Sequence, residues 1–135
     1  MQFTKAEEYG LFGAVYLAKQ PRGAVISLSE ISDSQQVPDK FLAKIFQNLT
    51  KAGILRSHRG VRGGFSLNKL PRRISIGEIL QAIQGDTDPV KCVNDGQPCV
   101  KKGDCAIRDL ILEGRRHMFS YYNKQTLQEL SDRYR

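Results

Sequence analysis

All three cysteines of this 135-residue chain fall between Cys92 and Cys105, in the spacing Cys-x6-Cys-x5-Cys. Three thiolates on a loop can converge on one soft metal centre. The third stands where a long helical pattern begins, and the dipole there favours its ionised form. The spacing matches neither the paired cysteines of a zinc ribbon nor a ferredoxin run, and three thiolates leave a four-coordinate site one ligand short. Spacing favours a metal or cluster site over a bare redox thiol. Inert buried cysteines fit least, because the surrounding sequence is polar and rich in turn residues (Asp88-Pro89, Asp95-Gly96, Pro98, Gly103). An odd, clustered set also argues against a disulfide framework and for a reducing compartment. Catalytic chemistry is not expected. His58 and His117 are far apart in sequence, and neither a glycine-rich phosphate loop nor a nucleophile–base pair can be found.

A second chemistry lies in the charge. The formal net charge is +7, from 21 basic and 14 acidic residues. Lys51, Arg56, Arg59, Arg62, Lys69, Arg72 and Arg73 follow one another with no acid between them, and these seven equal the whole excess. Most charge runs are solvated surface. This one coincides with a glycine-rich turn, where basic side chains can meet phosphates and enter a narrow minor groove.

The elements that must position these groups are legible around it. Ser27 with Glu30 reads as a capping box opening a short helix through Ile31 and Ser34. Gln35-Gln36-Val37 breaks it, and Pro38 suits the first position of a second helix. That helix carries Phe41, Leu42, Ile45, Phe46 and Leu49 on one side and stops at Gly53. Two short strands, 54–58 and 65–67, flank Arg59-Gly60-Val61-Arg62-Gly63-Gly64. Helix, turn, helix and basic hairpin is the layout of a winged helix-turn-helix. Its DNA-facing candidates are Pro38, Lys40, Lys44, Gln47, Lys51, Arg59, Arg62 and Gly63, with Ala43 on the same helix face.

Around this head the chain reads in order. Thr4 and Glu7 cap a first helix to about Lys19, apolar at Tyr9, Phe12, Val15 and Tyr16 and broadened by Leu11, Ala14 and Leu17, so it packs on more than one side. Ala24-Val25-Ile26 suits a short strand beside the hairpin. Ser75 and Glu78 cap a helix with Ile76, Ile79, Leu80 and Ile83 inward and Gly85 as its stop. The cysteine loop follows. From about Asp104 a long helix carries Ile107, Leu110, Ile111, Met118 and Tyr122 on one stripe. Its expected use is a homodimer interface, with Ile107, Leu110, Ile111 and Met118 meeting a second copy. Thr126 and Glu129 open a last short helix. The fold class is therefore mainly α with a small β wing. Its parts are a winged helix-turn-helix DNA-binding domain over 1–85, a cysteine loop for cluster binding over 86–105, and a dimerisation helix with a C-terminal helix over 106–135.

With these elements in place the chain resembles the winged-helix transcription regulators that include IscR and NsrR, the Rrf-two family. The likeness covers essentially the whole chain: MQFTKAEEYGLFGAVYLA, ISLSEIS, VPDKFLAKIFQNLTKAGIL, the wing HRGVRGGFSL, ISIGEILQAIQG, then three cysteines and a long helix. It implies a homodimeric repressor or activator whose DNA affinity is set by an iron–sulfur cluster of two or four irons, with Cys92, Cys99 and Cys105 as ligands. The fourth ligand varies in the family. Where IscR-like members have a histidine three residues after the last cysteine, this chain has Arg108. NsrR-like members use a carboxylate on the first helix of the partner subunit, and the matching residue is Glu8, with Glu7 and Asp104 as fallbacks. The resemblance also implies that Arg59 enters the minor groove. It puts Ala43-Lys44 where some IscR-like members carry a base-reading Glu-Gln pair, so the operator need not be theirs.

Composition agrees: 40% apolar and 26% charged residues suit a soluble globular protein, and neither a membrane span nor a signal-peptide core is evident. The expected location is cytoplasmic. The expected partners are a pseudo-palindromic double-stranded operator and a second copy of the chain, without a membrane. Two other readings stand beside the cluster-dependent regulator. One keeps the DNA binding but uses zinc or reversible cysteine oxidation. The other is a protein-interaction adaptor on the same fold, which the all-basic wing disfavours.

Overall fold

A computed structural model describes residues 3–85 and 105–134. Helix α1 (Lys5–Ala18) starts on a complete capping box: Glu7 N–H donates to the Thr4 hydroxyl at 3.2 Å, and Thr4 N–H donates to the Glu7 carboxylate at 3.1 Å. Two glycines let α1 lie close to its neighbours. A Cβ at Gly13 would stand 2.7 Å from the Phe46 ring, and one at Gly10 would stand 2.4 Å from Ile83 Cδ1. The expected burial on several sides is found, since α1 packs against four other helices and the second wing strand. Phe12, however, points outward, and Tyr9, Leu11 and Tyr16 are only half-buried.

Helices α2 (Leu28–Gln35) and α3 (Asp39–Lys51) form the helix-turn-helix. The Ser27 hydroxyl accepts from Glu30 N–H at 3.1 Å, but only this half of the expected box forms. The Glu30 carboxylate turns instead to the Tyr16 phenol at 2.9 Å, a tertiary partner that local spacing could not announce. Gln36 makes the turn in the left-handed region, at φ 54°, ψ 45°. Pro38 is the N-cap of α3, one position earlier than the sequence suggests. The buried Ser32 hydroxyl secures this turn against the Val37 carbonyl and the Asp39 carboxylate. At the far end Gly53 adopts φ +79°. Ile54 N–H donates to Leu49 and Gly53 N–H to Thr50, the paired bonds of a Schellman cap.

Strands β1 (Leu55–His58) and β2 (Gly64–Leu67) pair antiparallel, Leu55 opposite Leu67 and His58 opposite Gly64. The expected third strand at 24–26 reduces to one bridge, in which Ile26 and Phe65 exchange two backbone hydrogen bonds of 2.9 and 2.8 Å. A single 3-10 turn (Pro71–Arg73) leads to α4 (Ile76–Gln84), capped by the Ser75–Glu78 box and stopped at Gly85, φ +72°.

The long helix α5 (Ala106–Lys124) crosses α4 where a Cβ at Gly77 would meet the Asn123 side chain at 1.7 Å and its backbone nitrogen at 3.1 Å. The chain then returns to the body. Ile76 N–H donates to Gln125 and Leu127 N–H donates to Ile74, both at 2.8 Å, and α6 (Leu127–Asp132) docks against α1 through the fully buried Leu127. The core joins Ile31, Leu42, Phe46, Leu49, Ile79 and Leu80, none of them solvent-exposed, each contributing roughly 1.5–3 kcal/mol by burial. Phe65 closes it edge-on against Phe46, with ring centroids 5.1 Å apart.

Candidate nucleic-acid interface and cysteine site

Burying Leu42, Ile45, Phe46 and Leu49 leaves the other side of α3 to solvent, and on it Lys40, Lys44, Gln47 and Lys51 are all exposed, with Ala43 half-buried. Pro38, at the head of the helix, is exposed as well. The face is cationic and polar at the spacing a groove-reading helix requires. Phe41 departs from expectation: it is 55% exposed, touching only the edge of Tyr9 among aromatic rings, at 6.2 Å.

The wing places Arg59, Val61 and Arg62 at its exposed tip. Gly60 turns the chain at φ +106°, and Gly63 N–H closes the turn on the Gly60 carbonyl at 2.9 Å. Below the tip, His58 Nε2 lies 2.8 Å from the buried Ser66 hydroxyl, pinning one strand to the other. Val61 is the tip residue that charge reasoning passed over. Its only signal was its place between two arginines. Of the seven bases in the sequence run, six are exposed. Lys69 instead meets Glu78 at 2.7 Å. Burial pushes the Glu78 carboxyl up, but the Lys69 ammonium and the Ser75 hydrogen bonds outweigh it and hold the group below the usual carboxylate range.

Cys105 is the N-cap of α5, half-buried and a free thiol, with Asp109 N–H donating to its carbonyl at 3.1 Å. Cys92, Cys99 and Asp104 lie outside the described residues. Among the described residues no three histidine, cysteine or acidic side chains come together. The two acids of α1 differ sharply. Glu8 is half-exposed, its carboxylate held only by Lys5 at 3.3 Å, a surface pair worth about 0–1 kcal/mol and easily exchanged. Glu7 is 5% exposed and its oxygens are engaged by Thr4 N–H and Gln84 Nε2. A hard oxygen donor is thus accessible at Glu8 and engaged at Glu7, while Cys105 holds a free thiol at the head of α5. These features fit the donor chemistry of a thiolate-rich metal centre. Arg108 lies 3.9 Å from Asp109 and offers no lone pair.

No residue of α5 is buried. Ile107 is 66% and Leu110 69% exposed, with Ile111 and Met118 half-buried. Among the described residues Ile107 and Leu110, at the start of α5, are thus apolar side chains left mostly uncovered. Among the described residues no helix is long and apolar enough to cross a membrane.

Comparison with known proteins bears on this arrangement. Residues 3–133 match the family model Rrf2, iron-dependent transcriptional regulator. The chain is 35% identical over 97 residues to an HTH-type transcriptional regulator of Synechocystis, a match covering 72% of this chain and 66% of the relative's length. It is 27% identical over 131 residues to the HTH-type transcriptional regulator NsrR of Shouchella clausii, covering 96% and 88%. Its fold is similar to the crystal structure of oxidised CymR from Staphylococcus aureus, at a TM-score of 0.73 and 26% identity, covering 97% and 96%.

Proposed function

The chain belongs to the Rrf2 family of transcriptional regulators, and from that premise we propose that it binds a pseudo-palindromic operator as a homodimer, in the cytoplasm, with its affinity set by an iron–sulfur cluster on Cys92, Cys99 and Cys105. It is a DNA-binding regulator and not an enzyme. The observation that carries the cluster reading is Cys105 at the head of α5, the same helix that leaves Ile107 and Leu110 mostly exposed. Metal ligation and dimer contact would then share one rigid element.

In this reading α3 lies in the major groove and reads it with Lys40, Lys44 and Gln47, while Pro38 and Lys51 meet the backbone at its two ends. The wing sets Arg59 and Arg62 into the neighbouring minor groove, and Gly63 lets the turn approach the phosphates. Cys105 offers its thiol from the head of α5. Glu8, held only by an exposed lysine, supplies the fourth ligand from the partner's α1. The cluster, when bound, would supply iron open to attack by nitric oxide or oxidants, and its occupancy would follow iron supply. An oxygen ligand exchanges more readily than a thiolate, so Glu8 would be the most exchangeable ligand of such a set.

The test is protein purified without oxygen, with its absorption spectrum and its iron and sulfide content measured. The parent is expected to be coloured, Cys99→Ala colourless, and Glu8→Ala folded and dimeric with an altered spectrum. A colourless, iron-free parent that cannot be reconstituted overturns the cluster. The similarity to CymR, whose structure is known in an oxidised form, favours a second reading in which the same thiols respond by oxidation. That reading predicts an iron-free protein whose DNA affinity changes reversibly with peroxide and dithiothreitol.

A further inference from the structure

Two capping boxes of the same composition are used differently. At Thr126 the Glu129 carboxylate accepts from Thr126 N–H at 3.0 Å and remains exposed. At Thr4 the equivalent acid, Glu7, is 5% exposed, although capping needs only one of its oxygens and works equally well in solvent. Burying a carboxylate costs free energy unless both oxygens find donors. The second oxygen of Glu7 accepts from Gln84 Nε2 at 2.9 Å, from a residue 77 positions away. The Gln84 carbonyl oxygen in turn lies 3.4 Å from Arg115 Nη2, and the Arg115 guanidinium stacks 5.1 Å from the Phe119 ring.

These three residues stand on three different helices. Gln84 ends α4, Arg115 lies mid-way along α5, and Glu7 is in the first turn of α1. The helices flanking residues 86–104 are thereby tied to α1. Helix α1 is in turn seated on the DNA-reading helix without slack, because Gly10 and Gly13 bring its backbone onto Ile45 and Phe46 of α3. A displacement of α5 at its Cys105 end therefore reaches α3 through one hydrogen-bonded chain and one close-packed contact.

We infer that Gln84, bridging Glu7 and Arg115, is the positioning residue that couples the cysteine site to the DNA-reading head. This rests on the regulatory reading above and names the route inside the subunit. It requires no contact of Gln84 with metal or DNA, and Glu7 acts here as a structural acceptor and not as a ligand.

The experiment is a double-mutant cycle on the full chain, using a duplex enriched by the parent from a random pool. The operator Kd is measured for parent and Cys99→Ala, then again in Gln84→Leu and Arg115→Met backgrounds. Gln84→Leu removes the bond to Glu7 and the bond to Arg115 together, along with whatever else the amide holds. Arg115→Met removes only the outer one and leaves Glu7 satisfied, so it reports even where Gln84→Leu is poorly folded. The coupling predicts that Cys99→Ala shifts the parent Kd, and that this shift shrinks by about fivefold or more in either background. If Cys99→Ala shifts Kd equally in all backgrounds, the coupling role falls and the sensing role stands. If Cys99→Ala leaves the parent Kd unchanged, the cysteines do not control DNA binding and both ideas fall.

Discussion

The wing glycines make a graded test of how the hairpin is held. A Cβ built at Gly64 would stand 2.1 Å from the Ile26 carbonyl oxygen, 2.5 Å from its carbon and 2.9 Å from Ser27 Cα, all backbone atoms that no rotamer change can move aside. Gly64→Ala must therefore part Ile26 from Phe65 and break the two hydrogen bonds they exchange. At ~1 kcal/mol for each bond and some loosening of the Phe46–Phe65 contact, the loss is about 2–3 kcal/mol. At Gly63 the clash is with His58 and Gly60 carbonyl oxygens at 2.5 and 2.8 Å, within the hairpin itself, so Gly63→Ala distorts the tip and spares the bridge. Gly60 has open space around it, and only its φ of +106° penalises alanine, by roughly 1–2 kcal/mol. Urea unfolding should rank Gly64→Ala well below the other two variants. Fluorescence anisotropy with operator DNA should show all three weakened, and hydrogen exchange at Phe65 should accelerate only in Gly64→Ala. A Gly64→Ala protein within 0.5 kcal/mol of the parent, an ordinary surface-mutant margin of about that size, with Phe65 still protected, would refute the bridge as the wing's anchor.

Other consequences are simpler to check. Arg59→Ala should lose about 1–3 kcal/mol of specific binding, with Lys51→Ala weakening all sequences alike and flattening the salt dependence; a salt titration of both separates groove reading from phosphate contact. Ile111→Arg should place an unpaired charge in the proposed dimer contact and give monomers by sedimentation velocity. Glu78 has a lowered pKa, so its contribution to stability is fully present above the ordinary carboxylate range and is lost as pH falls through its folded value. Glu78→Gln should flatten the acid limb of a Tm-against-pH curve and leave the curve above neutrality unchanged in shape.

What was legible in the sequence was what short-range chemistry decides. The boxes at Thr4, Ser75 and Thr126 formed because their partners are three residues away, and the Gly53 stop and the Arg59–Gly64 turn are equally local. Long-range competition decided the rest. Glu30 left its box for Tyr16, Lys69 left the basic run for Glu78, and Phe41 stayed outside a core already filled by Phe46. Spacing alone could not indicate that Glu7 would be buried, because its second partner is on α4, nor that Gly10 and Gly13 mark close helix contacts. The exposed face of α3 followed directly from periodicity. The cysteine site was legible as chemistry only: of its three thiols, Cys105 alone falls among the described residues.

The backbone ladder between Ile74–Ile76 and Gln125–Leu127 gives α5 the mechanics of a lever. Its C-terminal end is clamped to the body there, and the Gly77–Asn123 approach sits beside the clamp as a fulcrum. At ~1.5 Å per residue the 19 residues reach about 28 Å. A tilt of ~10° at the fulcrum would carry the Cys105 end through roughly 5 Å, on the order of one helical turn. A lever of this length multiplies whatever small rotation is imposed on it. Two such arms crossed in a dimer would convert it into a change of separation between two reading heads, a quantity that duplex DNA, with its fixed helical repeat, measures for them.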